Sequence, residues 1–172
     1  MVKKGISKHK LISGLIVSTW LCVTLFLLGI FGIHNGWPAF LALMFFIMAG
    51  AKNDSLKPIF IGGLTGLLMA KVLIFGVENL VPMGIGVQSA IYIMVFITVF
   101  LLIVLEDLNS IIFNSYAFGY FTIALIPSKQ ATVEWVFTLY LGGAFFIGGV
   151  IILSRYVGKL RSNKAVKIEN KA

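Results

Sequence analysis

Lys71 is the most conspicuous charge in this chain, because it stands alone inside an apolar stretch from Pro58 to Gly76. An ammonium in hydrocarbon costs about 3 kcal/mol at the centre of a bilayer unless it snorkels, pairs or meets water. Two readings follow. Its aliphatic stem carries the charge outward to the headgroups, or it lines an aqueous or anion-binding cavity. Glu78 lies seven residues further on, two helical turns up the same face, and is placed to meet the ammonium. Gln88 opens the next apolar run and Asn114 the one after. Amides in such places bond between helices as packing glue; the alternative groups Lys71, Glu78, Gln88 and Asn114 as the polar groups of a solute path. Enzyme chemistry is not expected. His9, His34 and Cys22 are scattered, and HExxH, P-loop and GxSxG patterns are missing. The spans hold no aspartate pair and no nucleophile–base dyad. Cys22 alone makes neither an internal disulfide nor a metal site, so no cofactor and no metal are expected.

The elements that hold these residues follow from composition. Of 172 residues, 59% are hydrophobic and 12% charged, with mean hydropathy +1.03. A soluble domain carries about a quarter charged residues, so lipid is the solvent that suits this chain. Arg, Lys, Asp and Glu are absent from Leu11 to Ala51, Asn79 to Leu105, Leu108 to Ser128 and Trp135 to Ser154. A spanning helix needs roughly 20 mostly apolar residues. His34-Asn35-Gly36-Trp37-Pro38 divides the first run, since Gly-Trp-Pro is turn chemistry. Six spans result: about Leu11–Ile33, Trp37–Ala51, Pro58–Val77, Val87–Leu105, Ser110–Pro127 and Val133–Arg155. They are apolar all round rather than alternating, so helices are expected and not a barrel. The second span is short. It extends past Lys52, thins the bilayer or is re-entrant. The first is too long for a signal peptide and has no small-x-small site after it; it is expected to remain as an anchor.

The net charge of +8 and pI near 9.8 would suit nucleic acid, but the placement of the cations excludes that partner. With a cytoplasmic N-terminus, the inner side carries Lys3, Lys4, Lys8, Lys10, Lys52, Lys57, Arg155, Lys159, Arg161, Lys164, Lys167 and Lys171. The outer side carries Lys129. The positive-inside rule sets this orientation, with both termini cytoplasmic. Residues 1–10 and 156–172 then form basic flanks attracted to anionic lipid, around a six-helix domain at 11–155. Trp37 and Trp135 fall at outer boundaries and are expected to sit among the headgroups.

The two halves, about 11–77 and 87–155, read alike. Trp37-Pro38-Ala39-Phe40 pairs with Ser115-Tyr116-Ala117-Phe118, Lys52 with Lys129, and Ile61-Gly62-Gly63-Leu64 with Leu141-Gly142-Gly143-Ala144, at nearly constant separation. Three spans per unit make the second unit enter from the opposite side, which is a 3+3 inverted-topology repeat. Gly62, Gly63 and Gly66 on the third span, and Gly142, Gly143 and Gly148 on the sixth, let helix backbones approach closely. The alternative is that these glycines line a narrow path.

The run Gly36-Trp37-Pro38-Ala39-Phe40-Leu41, the short apolar span after it, the Gly-rich third span and the second segment Ala117-Phe118-Gly119-Tyr120 resemble the YcdZ-like family of small bacterial inner-membrane proteins. That resemblance covers about Leu11 to Arg155. It implies a bacterial inner-membrane location and about six spans, with no substrate and no functional residues to carry over. The expected fold is therefore all-α and integral to the membrane. The expected function is movement of a small solute through a transporter or channel, in a homo-oligomer; the alternative is a non-transporting scaffold or accessory subunit. A transporter requires convergent polar groups around a hydrated midplane cavity, and a scaffold a dry, packed interior.

Overall fold

The computed structural model describes residues 8–126, 133–153 and 155–156. Lys3, Lys4, Lys129 and the basic tail from Val157 lie outside the described residues. Among those described, the secondary structure is entirely helical. Six helices run in order: α1 (Lys8–Ile30), α2 (Trp37–Met48), α3 (Leu56–Leu80), α4 (Val87–Val104), α5 (Ser115–Ala124) and α6 (Val133–Leu153). Three of them are long and apolar enough to cross a membrane: α3 with its flanking 3-10 turns (Asn53–Met83), α4 with the turn after it (Val87–Asp107), and α6.

The ends of the helices follow from local chemistry. Helix α1 stops where Gly32 turns left-handed at φ +75. There Ile33 N–H donates to the Leu28 carbonyl and Gly32 N–H to that of Gly29, both at 3.0 Å, a Schellman closure. Helix α2 ends the same way at Gly50 (φ +76), with Ala51 N–H on Phe46 and Gly50 N–H on Ile47. Pro38 in its first turn supplies no amide where none is needed.

The fifth element is much shorter than the expected Ser110–Pro127. Asn109 Oδ1 accepts from the amides of Ile111 and Ile112, which holds a turn and delays the helix. Asn114 then caps α5, accepting from Ala117 N–H at 3.0 Å. Pro127 disfavours helical geometry in the residue before it, consistent with an end at Ala124. With 12 and 10 residues, α2 and α5 rise about 18 and 15 Å, less than the roughly 30 Å of hydrocarbon. Helix α6 contains one π-helical segment, Thr138–Gly142, which inserts extra backbone into its third turn.

Glycines set the packing. Helix α3 lies against α5, where a Cβ at Gly66 would strike the Ala117 carbonyl oxygen and one at Gly62 the Asn114 side chain. Helix α6 lies against α2 in the same manner, with a Cβ at Gly142 falling 2.9 Å from Ala39 Cβ. The contacts between α3 and α6 are reciprocal. A Cβ at Gly63 would meet Tyr120 and Leu139, and one at Gly143 would meet Ala42 and Phe60. The register that pairs Ala39 with Ala117 and Gly63 with Gly143 also pairs Ala42 with Tyr120. Phe60 and Tyr140, equivalent in that register, stack on each other with ring centroids 5.6 Å apart. Gly148 meets nothing within 4 Å, whereas Gly149 carries the Trp20 ring. Trp20 Nε1–H donates to the Phe145 carbonyl at 3.0 Å and ties α1 to α6.

Candidate functional site

The densest long-range polar contact links the α1–α2 loop to the first turn of α6. Gly36 precedes α2, and the loop before it presents successive backbone amides to one side. Glu134 Oε1 accepts from His34 N–H at 2.8 Å and Asn35 N–H at 3.0 Å, while Oε2 accepts from Asn35 Nδ2 at 2.9 Å. Hydrogen bonds to an ionised acceptor are short and strong, so these three clamp together segments about a hundred residues apart in the chain. Sequence reasoning missed Glu134. Its signal was present: an acidic residue at the very edge of a charge-free run, with a His-Asn turn assigned to the same membrane face.

The next residues inward are aromatic. Trp37 begins α2 and Trp135 follows Glu134. Their rings meet edge to face at 5.1 Å, and Trp135 is 2% exposed. Trp135 is thus packed inside the bundle, with Trp37 partly buried against it. The clamp draws the starts of α2 and α6 together, and the two indoles meet edge to face beside it. Tyr120 of α5 lies 6.1 Å from Trp37, and its buried hydroxyl donates to the Pro38 carbonyl at 2.8 Å. Phe45 continues the aromatic cluster to Tyr116 and Tyr120. Both indole N–H groups, Trp37 Nε1 and Trp135 Nε1, are buried without an acceptor. Just below, Thr138 opens the π-helical segment and donates its hydroxyl to the Glu134 carbonyl at 2.8 Å.

Of the residues proposed from sequence as a polar cluster, Asn114 lies near the start of α3, away from Lys71 and Glu78. Asn114 sits at the start of α5, donating to the carbonyls of Pro58, Ser110 and Ile111. Lys71 and Glu78 lie further along α3 with exposed side chains, and exposed Gln88 opens α4. Lys71 is 13 residues beyond Pro58, roughly 20 Å along the helix. Of the proposed packing glycines, Gly62, Gly63, Gly66, Gly142 and Gly143 are buried at helix contacts, and Gly148 faces open space.

The interior is largely apolar. Besides the Tyr120 hydroxyl and the two indole N–H groups, the buried polar side chains among the described residues are Thr24, Thr98 and Thr138. Each threonine hydroxyl donates to a carbonyl four residues back in its own helix, which leaves it no donor for a guest. A cavity of about 320 Å³ lies between α1 and α6, lined by Thr24, Leu27, Leu28, Phe31, Ile33, Leu141 and Phe145, with an apolar surface. Among the described residues, no three His, Cys, Asp or Glu side chains gather as metal ligands. Compared with family models, curated proteins and solved structures, the chain matches none.

Proposed function

We propose that this chain is a six-helix protein of the bacterial inner membrane, built as a 3+3 inverted repeat, that moves a small solute. The observation that carries the reading is the crossed docking of the two short helices. Helix α2, from the first half, seats on α6, and α5, from the second, seats on α3, each through glycine. Equivalent residues, Phe60 and Tyr140, meet at the crossing, as they must where a pseudo-two-fold axis passes. Many transporters relate two inverted halves by such an axis and place interrupted helices beside it. The π-helical segment of α6 lies at this crossing, and such segments recur at functional sites. The polar contacts support this topology, because it assigns Glu134, His34 and Asn35, which bond to one another, to one side, and Asn114 and the Pro58 carbonyl, also bonded, to the other. The inner-membrane location and the kinship with the YcdZ-like family rest on the sequence motif, and a homo-oligomer belongs to the same proposal.

The second reading, a membrane scaffold or accessory subunit, is favoured by the largely apolar interior and the locally bonded threonines. Solute flux into proteoliposomes separates the two. Stopped-flow light scattering on vesicles with and without the protein is expected to show faster entry of a small polar solute. Identical traces across neutral solutes, anions and cations would leave the scaffold.

A further inference from the structure

We propose that Trp37 and Trp135 are the donors of a binding site for a small neutral solute bearing a carbonyl or similar oxygen, held shut by the Glu134 clamp. An indole N–H only donates, so its missing partner must accept. Buried donors without an acceptor are rare in folded proteins, and here two occur on rings in direct contact. Trp20 is the internal comparison: its N–H reaches the Phe145 carbonyl, so this bundle satisfies an indole where packing alone is at stake. The bundle does not require the pair either. In the register that relates the halves, Trp37 corresponds to Ser115 and Trp135 to Ser55, so the opposite end is built without indoles.

The chemistry of the guest follows from its neighbours. The Glu134 carboxylate precedes Trp135 and is held by the uncharged N–H groups of His34 and Asn35. Its charge repels an anion at short range. A cation is disfavoured at the two N–H groups themselves, which lie on the positive edge of each ring. A neutral molecule with an accepting oxygen fits both conditions. Access is governed by the clamp, because Asn35 lies two residues before Trp37 and Glu134 one before Trp135. Releasing Glu134 frees both chain segments that bring the rings together. The site rests on the transport reading only for the route by which its guest leaves.

The test uses the indole ¹H–¹⁵N signals of the full chain in lipid nanodiscs, assigned by Trp→Phe variants and titrated with acetamide and, separately, nitrate. Glu134→Gln sets an amide donor against Asn35 Nδ2. Asn35→Asp sets carboxylate against carboxylate. The double variant restores the pairing with roles reversed. In each single variant, the Trp37 and Trp135 signals are expected to respond to acetamide at about one-tenth of the wild-type concentration, the effect of losing one hydrogen bond to a charged group. The double variant should return to wild type, and Trp20 should not respond. The proposal falls if Trp37 and Trp135 stay silent in both single variants, if Trp20 shifts alongside them, or if nitrate acts at lower concentration than acetamide. Should neither single variant fold, wild type titrated to molar acetamide decides, and unmoved Trp37 and Trp135 signals overturn the site. Responsive indoles without acetamide flux would remove transport and leave the site standing.

Discussion

Replacing Gly66 by alanine tests the crossed docking at its tightest point. A Cβ there would overlap the Ala117 carbonyl oxygen and lie 2.7 Å from Tyr120 Cβ and 2.8 Å from Phe121 N. All three are backbone or first side-chain atoms, so no rotamer change relieves the clash and α3 must move away from α5. Reaching ordinary contact requires a shift on the order of 0.5–1 Å, which forfeits a quarter to a half of each dispersion contact across the face. At about 0.1–0.2 kcal/mol per atom pair, a few tens of pairs lose roughly 1–2 kcal/mol, within the range of about 1–3 kcal/mol for overpacked cores. Gly148→Ala is the control. Nothing lies within 4 Å of that Cβ, and removing a helical glycine gains up to about 1 kcal/mol. Thermal unfolding in detergent, followed by size exclusion or circular dichroism, should lower the midpoint of Gly66→Ala by about 4–8 °C, scaling roughly 2 kcal/mol by chain size. Gly148→Ala should match or exceed wild type. Equal midpoints for the two variants would refute the docking of α5 on α3.

Other outcomes follow from single contacts. Asn114→Ala removes both the cap on Ala117 N–H and the bond to the Pro58 carbonyl, and is expected to cost about 1–2 kcal/mol in the same assay; Asn114→Asp, which keeps the cap, should fall between. Tyr120→Phe loses the bond to Pro38 and should cost on the order of 0.6 kcal/mol, the average for interhelical hydrogen bonds in membranes, so a neutral result would mean that hydroxyl contributes nothing. In a Cys22→Ser background, a cysteine at Gly84 should react with an impermeant maleimide on intact cells and one at Lys52 only after permeabilisation; labelling of both from one side would overturn the topology. Lys71→Leu should leave folded yield and solute flux at wild-type levels, because Lys71 faces outward from α3; loss of flux would place it on the path.

The helical class and the order of elements were legible because hydropathy is a bulk property that needs no knowledge of neighbours. Helix ends were legible where backbone chemistry decides them, as at Gly50 and at Pro38. The shortness of α5 was not, since apolar content continues through Ile111–Phe113 while Asn109 and Asn114 redirect the backbone with their side chains. The pairing of Glu134 with Asn35 was hidden by the distance between them in the chain. The packing of the two tryptophans against each other was hidden for a related reason. An amphipathic ring near a span boundary suits either the headgroups or a helix contact, and only the clamp beside it decides.

The crossed docking has a consequence for biosynthesis. The ribosome delivers α3 well before α5, so the glycine groove at Gly62, Gly63 and Gly66 enters the bilayer with its eventual occupant still untranslated. Until then lipid chains or an insertion factor must fill that groove, and a nascent chain arrested after Met83 is expected to be a substrate for membrane proteases. Because α2 seats on α6 and α5 on α3, the packing of the first three helices is expected to be completed only after α6 is made.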